Sequence, residues 1–344
     1  MSGYKELEHK AAGHDGTLTD EDGLLIFKPL NEQELQFYKD VQQQSVANQD
    51  KEEDGDVPLE SWIPVFLGVL DEGHNVPKNL TNDVHIVDSG ESLINLTPDR
   101  ENGGESNIAE KRFLVLQNLT AGFKKPNIID IKLGKILYDD NATEEKRQRL
   151  SEVSQTTTSG SLGFRICGMR IQENKKTSSI EKDHHTFQSD GEYIFINKMF
   201  GRTRTPDDVI DAFGTYFANS LLSEKRCSTL KQLFFQRLQL FYNTILNSEV
   251  RMISSSLLFI YEGDPSRWDS QNDEDALISD DFIDYEDDED SDSDELPSKT
   301  PLSLMALIDF AHSKVTKGAG YDENVIEGVE SLLNVFSKLN EQSI

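Results

Sequence analysis

Apolar residues along this chain fall into two spacings. Short runs bounded by turn formers mark buried strands. They occur at Leu24–Phe27, preceded by an Asp22-Gly23 hairpin turn and closed by Lys28-Pro29, and again at Phe113–Leu116, Gly163–Ile171 and Tyr193–Lys198. Trp62–Leu70 is strand-like, and apolar runs around Phe259 and Ile308 read as two further strands. Gln42–Glu60 reads as a loop and Asp71–Lys111 as mostly polar and irregular. Helical spacing predicts packing helices at Leu230–Leu246 and Val325–Leu339. Start signals predict three more. Asn31-Glu32-Gln33-Glu34 reads as a capping box, with Asn at the N-cap and Glu at N3, opening a helix through Tyr38. Asn141 or Thr143 opens a second, with Glu144 and Glu145 in its electropositive first turn and Lys146, Arg147 and Arg149 behind them. Thr205-Pro206 starts a third, with Pro at N1.

Strands and helices in this uneven order predict an α+β chain. A length of 344 residues suits two units with a cleft between them. We place the first lobe at residues 1–119, closed by the Phe113 strand, and the second at 120–344. Net charge is −29, and 15 acidic residues with no basic one lie between Asp269 and Glu295, so one tract carries half of the imbalance. Asp280–Glu295 is too charged to bury, and a disordered acidic loop is expected at about 269–300. So acidic a surface argues against direct nucleic-acid binding. No apolar run approaches the roughly 20 residues of a membrane span. The start, Met1–Glu8, lacks the apolar core of a secretory leader, which makes a reducing compartment the expectation. Cys167 and Cys227 are the only cysteines, which excludes a disulfide framework, and both are expected to be buried thiols.

Several catalytic signatures are missing: the P-loop, His-Glu-x-x-His, the nucleophile elbow and the His-Arg-Asp loop. What remains is charge at the ends of apolar strands. Lys28 ends the Leu24 strand, where an ammonium can either bind phosphate or simply be solvated. In Pro126–Gly134, alternation puts Asp130 and Lys132 on one face and Ile129, Ile131 and Leu133 on the other. That spacing fits a same-face ion pair as well as it fits a phosphoryl-transfer site. Asp309 ends a third apolar run, a position that suits a magnesium ligand or a structural turn. Lys124–Arg149 holds seven basic residues against five acidic ones, with Lys146 and Arg149 on one helix face, so a polyanion can find local positive potential there.

Together, Pro126-x-x-x-Asp130-x-Lys132-x-Gly134, Ser255-Ser-Leu-Leu258 and Ile308-Asp309-Phe310 resemble the inositol polyphosphate kinase family, in family order. Gly163-Phe164-Arg165, Gly168-Met169 and Phe200-Gly201-Arg202 add to the resemblance, which is greatest for the fungal multikinases. It implies a two-lobed fold, distantly protein-kinase-like, with an ATP cleft between the lobes. It also implies roles. Lys28 would contact ATP phosphates, and Gln117-Asn118-Leu119 would form the adenine hinge, Gln117 standing where Glu is common. Asp130 would lie at the nucleotide, Lys132 beside the inositol phosphate and the migrating phosphoryl group, and Asp309 at the metal. Lys146, Arg149, Lys198 and His312 would serve the substrate.

The activity so implied is an ATP- and Mg2+-dependent conversion of inositol 1,4,5-trisphosphate to tetrakis- and pentakisphosphates. The stretch between Lys132 and Gly163 has room for only a short helix, which suits an open site that accepts several inositol phosphates. The rival readings are an inositol hexakisphosphate kinase and a regulatory binding protein acting through the acidic tract. The resemblance also carries an association with transcription factors governing arginine metabolism, and so expects a monomer in nucleus and cytoplasm.

Overall fold

The computed structural model describes residues 4–7, 11, 16–48, 57–72, 111–188, 191–278 and 300–341. The first sheet is antiparallel and has five strands. In chain order its part of the molecule runs β1 (Tyr4–Glu6), β2 (Leu18–Asp20), β3 (Leu25–Pro29), α1 (Glu32–Asn48), β4 (Phe66–Glu72) and β5 (Lys111–Gln117), with spatial order β1-β2-β3-β5-β4. The rest runs β6 (Pro126–Leu133), α2 (Glu144–Gln155), α3 (Thr158–Leu162), β7 (Phe164–Gln172), β8 (His185–Phe187), β9 (Tyr193–Ile196), α4 (Lys198–Arg202), α5 (Val209–Tyr216), α6 (Glu224–Asn247), β10 (Val250–Met252), β11 (Ser256–Glu262), α7 (Pro265–Ser270), β12 (Ser303–Ile308), β13 (Ser313–Val315) and α8 (Glu323–Glu341). Its six-stranded sheet has the order β12-β11-β6-β7-β9-β8, and β10 pairs with β13 apart from it. The α+β class expected from the sequence is the observed one.

Alternation decides which face of the second sheet does what. Ile129, Ile131 and Leu133 of β6 and Phe259 of β11 are fully buried in the core shared with α5, α6 and α8. Phe234 of α6 stacks on Phe259 with ring centroids 4.6 Å apart, and Phe336 of α8 meets that ring edge-on. The opposite face carries Ile128, Asp130 and Lys132, opposed in register by Ile260, Leu258 and Ser256 of β11. The two sheets are held to each other by apolar contacts. Phe37 stacks on Phe310 at 4.5 Å, Tyr38 meets Phe310 edge-on, and Trp62 packs on Phe241 while its Nε1 donates to Thr244 Oγ1.

Five expectations are corrected. α1 continues to Asn48, so the first part of the presumed Gln42 loop is helical. Leu35, Tyr38 and Val41 prolong its buried stripe, and Gln42 Nε2 donates to Phe66 O. Trp62–Leu70 is not one strand. Leu59–Trp62 is a 3-10 turn, and β4 begins at Phe66, after Pro64 has removed a ladder donor. Residues Thr205–Asp208 form a turn closed by Thr205 N–H on Asp208 Oδ1, and α5 starts at Val209 rather than at Pro206. Residues 269–278 are ordered. Arg226 binds Asp269 and Asp273, and Asp275 sits beneath Arg237. Asp280–Glu295 and nearly all of the Asp71–Lys111 stretch lie outside the described residues. The two thiols are half-buried rather than fully buried.

Candidate active site

β3, β5, β6 and β12 all end or pass beside one cleft of about 860 Å³, its volume counted to include the part open to solvent. Ile26, Leu116, Leu119, Ile128, Leu258 and Ile308 give it apolar walls, while Lys28, Asp130 and Asp309 supply charge. Gln117, Asn118 and Leu119 line it as well, so six of the expected site residues meet in one place.

Lys28 lies opposite Leu114 on β5, and its Nζ donates to Glu34 Oε1 and Asp309 Oδ1, each at 2.8 Å. Burial alone would lower its pKa, but the carboxylates of Asp309 and Glu34 outweigh that and raise it. Glu34 was missed as a site residue. Asn31 does cap the helix, its Oδ1 accepting from the Gln33 and Glu34 amides. The Glu34 carboxylate does not complete a capping box. It is 1% exposed and accepts from Lys28 and from the Phe310 amide instead. No local signal distinguishes the two uses of Glu at N3.

Asp309 has φ +67°, a left-handed conformation that a non-glycine residue adopts at a cost of about 1–3 kcal/mol. Asp130 is 4% exposed, and its Oδ1 has no hydrogen-bond partner among the described residues. Burial and then the Asp309 charge push its pKa up to about 6, against the pull of Lys132. A bulge sits at this point. Asp130 pairs with Gly168 and Ile131 with Ile166, so Cys167 has no opposite number on β6.

Lys132 does not pair with Asp130. Its Nζ donates to the Ser254 carbonyl at 2.5 Å, and Ser254 itself has φ +61°. Arg165 stands opposite Lys132 on β7, 9% exposed, with one guanidinium nitrogen on Ser159 Oγ at 2.9 Å. Alternation in Phe164-Arg165-Ile166 was the available sign that it shares the Lys132 face. Gly134, which ends the strand motif, has φ +96°, and a Cβ there would collide with Asn324 Nδ2. Asn324 Oδ1 in turn accepts from the Lys135 and Ile136 amides, bracing the turn after Lys132.

In the hinge, Gln117 N–H donates to Val65 O and Asn118 N–H to Leu24 O. The side-chain oxygen of Gln117 accepts from Val65 N. Asn118 is used structurally: Nδ2 donates to Gly23 O, and Oδ1 accepts from the Thr120 amide and hydroxyl. Among the described residues, Leu119 N–H has no hydrogen-bond partner, which leaves it as the hinge donor open to a base.

The expected substrate residues are less gathered. His312 follows Asp309 by three positions, and its Nδ1 lies 2.6 Å from Asp139 Oδ2. Lys146 and Arg149 are on α2, and Lys198 is the exposed first residue of α4; none of the three lines this cleft. Among the described residues no cluster of three or more His, Cys, Asp or Glu forms a ready-made metal cage. The Asp130 and Asp309 pair still fits a divalent ion shared with a ligand, because one carboxylate oxygen is unpartnered and the pair repels. The apolar walls and the open Leu119 amide fit a purine, and Lys28 fits its phosphates.

Residues 113–337 match the family model "Inositol polyphosphate kinase". The chain is 53% identical to inositol polyphosphate multikinase of Saccharomyces cerevisiae, over 98% of this chain and 99% of that protein. It is 29% identical to the Schizosaccharomyces pombe inositol polyphosphate multikinase, over 97% of each. Its fold matches a crystal structure of the S. cerevisiae inositol phosphate multikinase in complex with ADP and Mn2+, with TM-score 0.71 and 50% identity, over 92% of this chain and 99% of that one. The chain belongs to the inositol polyphosphate kinase family.

Proposed function

We propose that this chain is an ATP-dependent inositol polyphosphate multikinase that converts inositol 1,4,5-trisphosphate to tetrakis- and pentakisphosphates, with Mg2+ as its working ion. One observation carries the reading: the unpartnered, buried Asp130 oxygen beside Asp309, in an apolar cleft whose lysine is already paired. Asp130 and Asp309 would hold the ion, which when bound supplies positive charge to the phosphate oxygens. Lys28, kept charged by Asp309 and Glu34, is positioned for the nucleotide phosphates. Lys132, two residues along the strand from Asp130, and Arg165 opposite it on β7 do not line the cleft itself; they would supply beside it the positive charge that the migrating group and a polyanionic acceptor need. Catalysis then rests on alignment and charge, with no covalent enzyme intermediate. The open hinge amide of Leu119 selects the base.

The purified chain, incubated with ATP, Mg2+ and inositol trisphosphate, should yield tetrakis- and pentakisphosphates on product chromatography. Preference for hexakisphosphate in direct competition would replace this reading with the hexakisphosphate kinase one. We read residues 1–119 and 120–344 as the two lobes of the enzyme. We also take the enzyme to be a monomer working in nucleus and cytoplasm, with the acidic tract engaging basic transcription factors. Salt-sensitive capture of such partners, lost with the tract, tests that last point.

A further inference from the structure

We propose that Asp139 is a positioning residue for phosphoryl transfer, fixing the His312 imidazole so that Nε2 takes the proton of the attacking substrate hydroxyl. The proposal rests on the kinase reading and deepens it. Three connecting segments meet beside Lys132. The His312 carbonyl accepts from the Ile253 amide, and the next carbonyl along, that of Ser254, holds Lys132 Nζ. Ser254 Oγ donates to Leu137 O, two residues before Asp139. His312 is therefore tied through the 253–254 segment to Lys132 on one side and, three residues back along the chain, to Asp309 on the other.

The ring is oriented by one contact. Asp139 Oδ2 lies 2.6 Å from Nδ1, with the carboxylate 17% exposed and the imidazole 35% exposed. An ionised carboxylate only accepts, so the proton of this contact belongs to Nδ1. Among the described residues Nε2 makes no hydrogen bond, and the exposed part of the ring is open to a ligand. In the neutral ring Nε2 carries a lone pair. It can accept from a hydroxyl but not from an ionised phosphate oxygen, which has no proton to give. In that form His312 serves a hydroxyl rather than a phosphate. In the step, the hydroxyl oxygen bonds to the γ-phosphorus and the bond from that phosphorus to the bridging oxygen breaks. Its electron pair leaves with ADP, and the hydroxyl proton passes to Nε2. The resulting imidazolium lies against the Asp139 carboxylate, which offsets its charge.

The test compares wild type, Asp139→Asn, His312→Ala and the double variant of the full chain, with ATP, Mg2+ and inositol trisphosphate. His312→Ala should lower kcat about 100-fold, and Asp139→Asn about 10- to 100-fold, with KM for ATP and the unfolding midpoint unchanged. The double variant should be no slower than His312→Ala alone. Spectra of 15N-histidine-labelled wild type should show a proton held on His312 Nδ1, lost from Nδ1 in Asp139→Asn. Wild-type kcat in Asp139→Asn, multiplied effects in the double variant, or a proton on Nε2 in the wild-type ring would each overturn the proposal. Wild type that does not phosphorylate the trisphosphate at all overturns the kinase reading and the proton step together. Wild-type turnover with an indifferent Asp139→Asn removes only the Asp139 role.

Discussion

Arg237 with Asp275, and Asp130 beside Asp309, are both groups of charges withdrawn from water against the six-stranded sheet, and the chain answers them differently. Arg237 is 3% exposed and donates to Leu277 O, Ala276 O, Ser303 O and Ser303 Oγ besides facing Asp275. Asp275 accepts from the Leu302 amide and from Ser303 Oγ. Burial pulls the Arg237 pKa down and the Asp275 charge holds it up, and the donors and acceptors of the pair are matched. At the cleft, one Asp130 oxygen has no partner, a second carboxylate repels it, and Asp309 sits on a left-handed backbone. Matched buried charge is architecture. Unmatched buried charge is a site prepared for something that arrives later.

The comparison breaks first at Arg237. Arg237→Leu leaves Asp275 without its countercharge and several carbonyls without their donor, and should cost about 3–5 kcal/mol in denaturant unfolding. Turnover per folded molecule should be unaltered; a variant of wild-type stability would mean the matching is ornamental. At the cleft the large effect belongs to rate instead. Lys132→Ala should lower kcat by about 100- to 1,000-fold while the folded fraction barely changes, and full trisphosphate kinase activity in that variant would remove Lys132 from the reaction. Asp309→Asn should weaken the dependence on divalent ion, read as a rightward shift in the Mg2+ activation curve. An unshifted curve counts against its metal role.

A smaller effect, of opposite sign, sharpens the contrast. The Asp130 carboxyl is displaced from 3.8 to about 6, so folding favours its protonated form. The stability this contributes is complete below about pH 4 and is lost as pH rises through about 6. At pH 8 the protein therefore holds a charged Asp130 at a cost of up to about 3 kcal/mol. Asp130→Asn should be more stable than wild type at pH 8 by about 1–3 kcal/mol, and the gain should shrink as pH falls towards 5. Equal stability at every pH would show that the site is not strained by its own charge. Mn2+ with ADP should bind wild type less tightly as pH drops through about 6, measured by calorimetry.

Much of the scaffold was readable because it depends on local periodicity. The runs at Phe113, Gly163 and Tyr193 and the stripes at Leu230 and Val325 correspond to β5, β7, β9, α6 and α8. α1 was cut short because its apolar stripe stops at Val41, while Gln42-Gln43-Gln44 is polar yet fit for a helix. In the cleft, the meeting of Lys28, Asp130 and Asp309 was legible only through family resemblance, since Lys28 and Asp309 lie 281 positions apart. The roles of Glu34 and Asp139 were not legible at all. Each is fixed by a partner far along the chain, Phe310 for one and His312 for the other. The backbone sign at Asp309 leaves no trace in composition, because nothing in the residue type asks for it.

The smallest expected effect comes from removing the acidic stretch, and the reason lies at the Arg237 end of the comparison. The chain leaves the described structure at Ile278, just after Arg237 has bound the carbonyls of Ala276 and Leu277. It returns at Thr300, whose carbonyl accepts from Arg267 and from Gln271 Nε2, and the next turn of chain is tied back when Leu302 N–H meets Asp275. Both ends of the tract are thus fastened to the same patch, and what lies between them is not needed to hold it. Replacing Asp280–Glu295 with a short Gly-Ser linker removes 11 acidic residues and no basic one. Shortening a closed loop changes its entropy by only about 0.6 kcal/mol per halving, so the midpoint should hardly move. Turnover should stay within about twofold. What should change is the approach of a polyanionic substrate. With less negative charge on the protein, KM for inositol trisphosphate should fall slightly at low ionic strength, and the difference should vanish near 0.15 M salt, where charges more than about 8 Å apart are screened. A large loss of turnover would instead mean that the tract acts on the cleft directly, and the division between matched architecture and unmatched site would have to be redrawn to include it.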